Sequence, residues 1–261
     1  MELTPMMFLI ACPLCCLAGM LNAISGGGGF IAIPAFLLAG LPPHFALGTD
    51  KLQSVCGMAV ANFRFIKQGL VDWSVALIAI PTALIGAAIG TNLVLLVNEA
   101  VLMWLLMLVL PIVAYFTLSK RFSKNELAQA HAITAKSRAL SALCAFAIGL
   151  YDGFYGPGSG TFLVIAFTLV AHMGVVRANA HSKVVNLATS LGALVIFLVN
   201  GKVLILLGLA AGACNMLGAW IGAGLVMKRG MAIVKPCIII ALVLLAVKVV
   251  VEQVASFAGL S

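Results

Sequence analysis

Charged residues are scarce in this 261-residue chain. Only 8% of its residues are Asp, Glu, Lys or Arg, whereas 64% are hydrophobic. A water-soluble domain of ordinary composition has about a quarter of its residues charged. The scarcity therefore argues against a soluble domain and predicts an integral membrane protein. In such a protein the net charge of +8 reflects basic cytoplasmic loops rather than a nucleic-acid partner.

Common catalytic and metal-binding motifs are also missing. The sequence has no GxSxG, no HExxH and no spaced set of Cys and His residues, which are the patterns that hydrolases and metalloenzymes show. We therefore expect no enzyme activity, no catalytic residues, no metal and no cofactor. The amino-terminal apolar stretch has no basic region before it, so we interpret it as a membrane helix and not as a cleavable signal peptide.

Long apolar segments make up most of the chain. Because they are continuous and do not alternate apolar with polar residues, they predict an all-α polytopic fold and not a membrane barrel. Two of the ten segments, those that follow glycine-rich stretches, are too short to cross a core of about 30 Å at about 1.5 Å per residue. The segments lie near 6–24, 28–40, 45–67, 73–96, 99–118, 138–153, 159–172, 176–199, 203–227 and 232–253.

Short motifs recur about 131 residues apart. "GTDKL" (48–52) aligns with "AHSKV" (180–184), and "GAAIG" (86–90) aligns with "GAWIG" (218–222). Each copy contains five segments. Because five is an odd number, the second copy enters the membrane upside down relative to the first. We predict two inverted repeats of about five segments each, an architecture frequent among secondary transporters. Their bounds are 1–118 and 138–261, joined by a basic linker at 119–137.

The distribution of basic residues predicts the orientation. If each segment changes the side of the chain, 11 of the 15 Lys and Arg residues fall on one side, in the linker and in the loops that share its side. By the positive-inside rule this side is cytoplasmic. We therefore expect a multi-pass protein of the bacterial inner (plasma) membrane, with the 119–137 loop in the cytoplasm and both termini outside.

Two glycine-rich stretches interrupt apolar segments. "SGGGGF" (25–30) and "GPGSGT" (156–161) destabilise a continuous helix, which predicts broken or re-entrant helices there. A break in the membrane is tolerated only where the backbone faces protein or a cavity. The helix that follows each break presents amide groups that favour an anion. The candidate substrate-binding residues here are Gly27, Gly28, Gly29, Gly158, Ser159 and Gly160.

Two lysines occupy equivalent positions in the repeats. Lys51 and Lys183 each lie about seven residues into a predicted helix, and a lysine so deep in a membrane is by default a functional candidate. Polar neighbours on the same two segments complete a set of donors suited to an oxyanion. We therefore predict that the substrate-binding residues also include Lys51, Lys183, Thr49, Gln53, Asn186 and His181.

A lone carboxylate, Asp152, precedes the second glycine stretch, where the first repeat has Asn22. A buried carboxylate there can carry a proton, so we assign ion coupling or gating to Asp152, Asp50 and Asn22. His181 is the other candidate proton carrier. A structural hydrogen bond for Asp152, and an ion pair of Asp50 with Lys51, remain open alternatives.

The sequence resembles the TauE/SafE family of membrane proteins, also known as the 4-toluene sulfonate uptake permease family. The resemblance covers nearly the whole chain except the linker. It is carried by four stretches: "AGMLNAISGGGGFIAIPAFLLAGLPPHFALGTDKLQS" (18–54), "RFIKQGLVDW" (64–73), "GLYDGFYGPGSGTFLVIAF" (149–167) and "ANAHSKVVNLATSLGALVIFLVNGKV" (178–203).

The resemblance implies a permease that moves sulfur-containing or related organic anions such as sulfite, sulfonates or sulfoacetate. We therefore expect a secondary transporter with a small anionic substrate, working by alternating access in a lipid bilayer. An intramembrane enzyme and a passive membrane subunit of a complex are the alternatives. Coupling to protons or sodium, and assembly as a homo-oligomer, stay open.

Overall fold

A computed structural model of the chain describes residues 3–98, 101 and 135–229. Apart from residue 101, the predicted segments at 99–118 and 232–253, and nearly all of the 119–137 linker, lie outside the described residues. Eight helices have described bounds, in two sets of four. They are α1 (Pro5–Ser25), α2 (Gly29–Leu38), α3 (Pro43–Lys67), α4 (Trp73–Leu96), α5 (Ala135–Phe154), α6 (Ser159–Leu169), α7 (Val175–Val199) and α8 (Ile205–Arg229).

The all-α polytopic fold is confirmed by these helices. Four of them, α1, α4, α7 and α8, are long and apolar enough to cross a membrane. α3 has 25 residues as well, but its polar side chains make it less apolar. α5 begins at Ala135, inside the predicted linker and three residues before the predicted segment.

The two short helices, α2 and α6, are re-entrant. The end of α2 packs against the beginning of α1, since Phe36 and Ala39 share an apolar cluster with Met7 and Ala11. α2 therefore returns to the side from which α1 started. At 10 and 11 residues, each short helix extends only about 15 to 17 Å, half of a hydrocarbon core.

The end of α6 likewise returns to the side on which α4 and α5 begin. Phe167 and Ala171 pack there with Val75 of α4 and Ala145 of α5. Both glycine-rich stretches thus form the predicted helix breaks, and both breaks lead into helices that turn back without crossing.

Unusual backbone conformations recur at the spacing of the sequence repeat. Besides Gly158, the described residues with positive φ form three pairs, at 26 and 156, at 40 and 172, and at 69 and 201. Five of the six are glycine, and the sixth is His172 with φ of 53°. A left-handed residue is required at the same turns in both halves, and His172 meets this requirement where the first half uses Gly40.

Helix directions show that the second set is inverted. Gly86 of α4 contacts Leu150 of α5, and Gly90, one turn later, contacts Phe154, so α4 and α5 run in the same direction. Gly218 of α8 contacts Cys16 of α1 in a similar parallel crossing.

The direction of α3 completes the comparison of the two sets. Contacts of Gly208 with Leu52, and of Gly212 with Cys56, make α3 parallel to α8, and α8 is parallel to α1. A short turn reverses the chain between α3 and α4. α5 is parallel to α4 and is therefore antiparallel to α1, its counterpart, as inverted repeats require.

Glycines allow these helix pairs to approach closely. A Cβ on Gly90 would lie 2.8 Å from the amide nitrogen of Phe154, and one on Gly218 would lie 2.9 Å from that of Met20. Both glycines belong to GxxxG patterns, which permit backbone contact between membrane helices. The two equivalent motifs thus hold α4 against α5 and α8 against α1.

We predict that Gly90→Ala and Gly218→Ala each destabilise the protein by about 1–3 kcal/mol, because the added methyl group overlaps the backbone of the partner helix. The measurement is the apparent melting temperature of the detergent-solubilised protein. Gly174→Ala is the matched control, since a Cβ there meets nothing within 4 Å and φ is −59°. Equal melting temperatures for all three variants would contradict this packing role.

Candidate functional site

The two helix breaks meet each other inside the protein. Gly26 of the first break packs against the backbone of Gly160 in the second, and Gly29 packs against Pro157. The Thr161 hydroxyl donates a hydrogen bond of 2.8 Å to the carbonyl oxygen of Ser25. The breaks are therefore in direct contact, as the inverted repeats predict.

A cavity lies beside this contact. The space between atoms within it is about 290 Å³, part of which is open to solvent. Both breaks contribute to its wall, and α3 and α7 supply the remaining polar side chains. The lining residues are Asn22, Gly26, Gly29, Asp50, Lys51, Ser54, Met58, Asp152, Gly156, Ser159, Asn186 and Ser190.

The ammonium of Lys51 crosses from one half to the other. Its Nζ donates to the Asp152 carbonyl oxygen at 2.7 Å and forms an ion pair with Asp152 Oδ1 at 3.1 Å. Both side chains are almost fully buried, with exposed fractions of 4% and 3%. The predicted anion-binding lysine and the predicted proton carrier are thus direct partners.

Hydroxyl groups complete the coordination of the Asp152 carboxylate. Ser159 Oγ donates to Oδ1 at 2.7 Å, and Thr189 Oγ1 donates to Oδ2 at 2.5 Å. Asn186 in turn donates to Ser159 Oγ at 3.2 Å. These donors come from α6 and α7. Together with α5, which carries Asp152, and α3, which carries Lys51, four helices meet at one carboxylate.

A second carboxylate, Asp50, reaches the same cavity. Its Oδ1 accepts a hydrogen bond of 2.7 Å from Gln53 Nε2. The Gln53 carbonyl accepts one of 2.5 Å from Asn215 on α8. Gln53 is predicted to bind substrate, but it does not line the cavity and instead links Asp50 to α8.

Lys183, the counterpart of Lys51, has a different environment. It is completely buried and is not part of the cavity wall. Its ammonium has no hydrogen-bond partner among the described residues. The first half offers Asn22 where the second half has Asp152, so the carboxylate that pairs with Lys51 has no equivalent for Lys183.

Thr49 and His181 lie away from the cavity, at equivalent helix contacts. Thr49 Oγ1 accepts a hydrogen bond of 3.1 Å from the Leu204 amide, just before α8. His181 Nε2 accepts one of 2.9 Å from the amide of Asp72, the N-cap of α4. Each residue therefore anchors the start of a helix from the opposite half.

The Asp72 carboxyl caps α4 outside the membrane-spanning segments. It accepts a hydrogen bond from the Ser74 amide, and this hydrogen bond lowers its pKa. The carboxyl is therefore ionised at neutral pH and stabilises the helix start.

The other predicted glycines shape the beginnings of α2 and α6. Gly28 and Gly158 occupy the N-cap positions, and no side chain of the described residues caps either helix. Gly27 precedes Gly28 in the first break. Gly158 has φ of 81° and packs against Phe30, so it combines a left-handed conformation with close contact.

Thr189 and Asn215 were not among the predicted site residues. Thr189 belongs to a polar stripe on α7, in which Asn179, Lys183 and Asn186 recur every three to four residues. That helical spacing in an otherwise apolar segment is the signal that identifies it. Asn215 is a single amide in apolar α8, and only the structure shows its contact with Gln53.

Comparisons with known proteins agree with this architecture. The sequence pattern of the family described as "Sulfite exporter TauE/SafE" matches residues 11–249. A "Probable membrane transporter protein ORF9" of Sinorhizobium is 35% identical over 90% of this chain and 89% of its own length. No solved structure matches the chain.

Further relatives have similar coverage. A "Probable membrane transporter protein" of Haemophilus influenzae is 32% identical over 90% of this chain and 91% of its own length. The "Probable membrane transporter protein YfcA" of Escherichia coli is 32% identical over 91% of this chain and 87% of its own length. With its apolar helices and matching family pattern, the chain is a multi-pass membrane protein that belongs to the sulfite exporter TauE/SafE family of membrane transporters.

Proposed function

We propose that the protein is a secondary transporter of small organic or sulfur oxyanions, such as sulfite, sulfonates or sulfoacetate. It works by alternating access and is coupled to an ion gradient. The observation that carries this proposal is the cavity in which the Lys51 ammonium lies between the two helix breaks. The family description, which names sulfite exporters, supports sulfur oxyanions as a substrate class.

The chemistry of the cavity wall supports an oxyanion as substrate. Lys51 supplies a positive charge, while Ser54, Asn186 and Ser190 supply hydroxyl and amide donors. Gly29 and Ser159 are the first residues of α2 and α6, whose amino-terminal ends carry a partial positive charge. Two such ends facing one cavity favour an anionic group.

The carboxylates at the cavity support ion coupling. Asp152 and Asp50 repel an anion unless their charge is compensated, and each one already has a protein partner, Lys51 or Gln53. We assign to these two residues, with Asn22 at the equivalent position in the first half, the binding of a proton or sodium ion. In this assignment the cation is the coupling ion and the oxyanion is the cargo.

Lys183, for which the described part of the chain offers no hydrogen-bond partner, supports alternating access. In a rocking motion of one repeat against the other, equivalent groups of the two halves exchange environments. Lys51 then leaves the cavity wall and Lys183 enters it. Because Asn22 provides no negative charge, the Lys183 ammonium meets the anion without a competing carboxylate.

We also propose the membrane and the orientation. The relatives named above come from bacteria, which supports the bacterial inner membrane. Lys67 and Arg229 end α3 and α8, and these parallel helices end on the same side. By the positive-inside rule that side is cytoplasmic, which puts the amino terminus outside.

We expect Lys51→Ala and Lys183→Ala each to reduce anion flux by about tenfold or more, since a hydrogen bond between charged groups is worth about 1.5–3 kcal/mol. Flux of sulfite and sulfoacetate into proteoliposomes is the measurement. Lys67→Ala is the matched control, because Lys67 is an exposed lysine at the end of α3. Wild-type flux in both cavity variants would refute anion binding by these lysines.

Equilibrium binding gives an independent test of the substrate class. Sulfite, sulfoacetate, taurine and acetate should be compared, with choline as a cationic control. We expect at least one sulfur oxyanion to raise the melting temperature of the detergent-solubilised protein, and choline to leave it unchanged.

The outcome separates transport from the alternatives. A passive subunit predicts no shift with any anion and no flux. An intramembrane enzyme predicts chemical conversion of the added compound, which analysis of the compound after incubation detects.

A further inference from the structure

We propose that the anion and a proton bind to this site cooperatively, because the anion and the Asp152 carboxylate compete for the ammonium of Lys51. The inference rests on the proposed anion transport and specifies the coupling ion as a proton. Anion binding draws the ammonium from Asp152, and the carboxylate then takes a proton from solvent. The site would thus load one proton with each anion that engages Lys51.

The geometry defines the competition. Lys51 Nζ donates to Asp152 Oδ1 at 3.1 Å and to the Asp152 carbonyl oxygen at 2.7 Å. The second of these bonds does not depend on the side chain, so the ammonium stays in the cavity when the carboxyl group is neutral. Neutralising Asp152 therefore makes the ammonium available to the anion without removing Lys51 from the site.

The groups around Asp152 leave it dependent on Lys51. On α3, Lys51 and Asp50 are the charged residues that share the cavity with it. From α6 and α7, Ser159 and Thr189 contribute neutral hydroxyls. Among the described residues, Lys51 is the one cation that pairs with Asp152, and a buried carboxylate without a cation is costly in the membrane.

The sign of the coupling follows. When the Asp152 carboxylate is protonated, the Lys51 ammonium is available to the anion, which binds tightly. When the carboxylate is ionised, the anion must displace it from the ammonium. Anion affinity therefore rises as pH falls, by at most tenfold per pH unit for one proton. A coupling of the usual size gives a total change of about 5- to 150-fold, and by reciprocity the anion promotes proton uptake.

The decisive experiment measures the affinity of detergent-solubilised protein for sulfoacetate at several pH values. Both acid groups of sulfoacetate stay ionised between about pH 6 and pH 8, as ordinary carboxyl groups do, so the probe itself does not titrate. For the wild type we expect affinity to increase about 10- to 100-fold on acidification over this range.

The Asp152→Asn variant gives the sharpest contrast. Asparagine is the residue at the equivalent position of the first half, Asn22, and it retains the shape of aspartate without its charge. We expect this variant to bind sulfoacetate more tightly than wild type at about pH 8, with no pH dependence. If Asp152 only supports the structure of the site, the variant binds more weakly instead, and the proposal is wrong.

A second variant tests the same linkage from outside the cavity wall. Thr189→Val removes the hydroxyl that donates to Asp152 Oδ2 and destabilises the ionised carboxylate. We expect the increase in affinity to begin at a higher pH, by up to about one pH unit. An unchanged pH profile in this variant overturns the proposal even if Asp152→Asn does not fold.

The remaining outcomes distinguish the two proposals. If wild type binds sulfoacetate equally at all pH values, proton coupling fails while anion binding stands. If the pH dependence disappears in Asp50→Asn and persists in Asp152→Asn, the proton is carried by Asp50 and this inference fails. If neither sulfoacetate nor sulfite binds at any pH, the proposed function and the inference fail together.

Discussion

The ion pair between Lys51 and Asp152 connects the two halves of the protein at the cavity that both residues line. A lysine inside a membrane is costly unless it is paired or faces a cavity, and Lys51 meets both conditions. Its partner lies at the end of α5, where the glycine-rich break begins. The helix break therefore has two roles. It leaves the Asp152 carbonyl oxygen free to accept a hydrogen bond from the Lys51 ammonium, and it allows Ser159, at the start of α6, to reach the Asp152 carboxylate.

Some contacts at equivalent positions of the two halves are symmetric and others are asymmetric. The symmetric contacts pack the helices, whereas the asymmetric ones lie at the charged cavity. Thr49 and His181 differ as amino acids but make the same contact, each binding the amide that precedes a helix of the other half. The glycine contacts of α4 with α5 and of α8 with α1 are likewise symmetric. The asymmetry is concentrated around the cavity, where Asn22 of the first half occupies the position equivalent to Asp152 of the second. The packing contacts therefore occur in both halves, whereas the ion pair of Lys51 with Asp152 has no counterpart among the described residues.

Sequence patterns were sufficient to predict the helical membrane fold, both helix breaks and the inverted order of the two sets. These features depend on composition, on glycine content and on an odd number of segments, all of which are local or countable properties. The cavity wall was harder to predict, because helix periodicity identifies polar residues without showing which neighbours they meet. His181 was expected near the anion, but its ring binds the start of α4. The link from Asp50 through Gln53 to Asn215 includes a hydrogen bond between residues 162 positions apart, and no short motif contains it.

Lys183, whose ammonium has no hydrogen-bond partner among the described residues, is best understood together with the pairing of Lys51. In a low-dielectric interior an unsatisfied polar group is costly, and a network is stable when each member has a partner. In the first half, the position equivalent to Asp152 is occupied by Asn22, so that position supplies no carboxylate to Lys183. In the proposed rocking motion the anion itself supplies the missing charge when Lys183 reaches the cavity. The two orientations of the transporter then differ chemically: one contains an internal counter-ion, and the other depends on the cargo. Such a difference lets the anion favour one orientation over the other, because a ligand shifts an equilibrium only by its differential affinity for the two states.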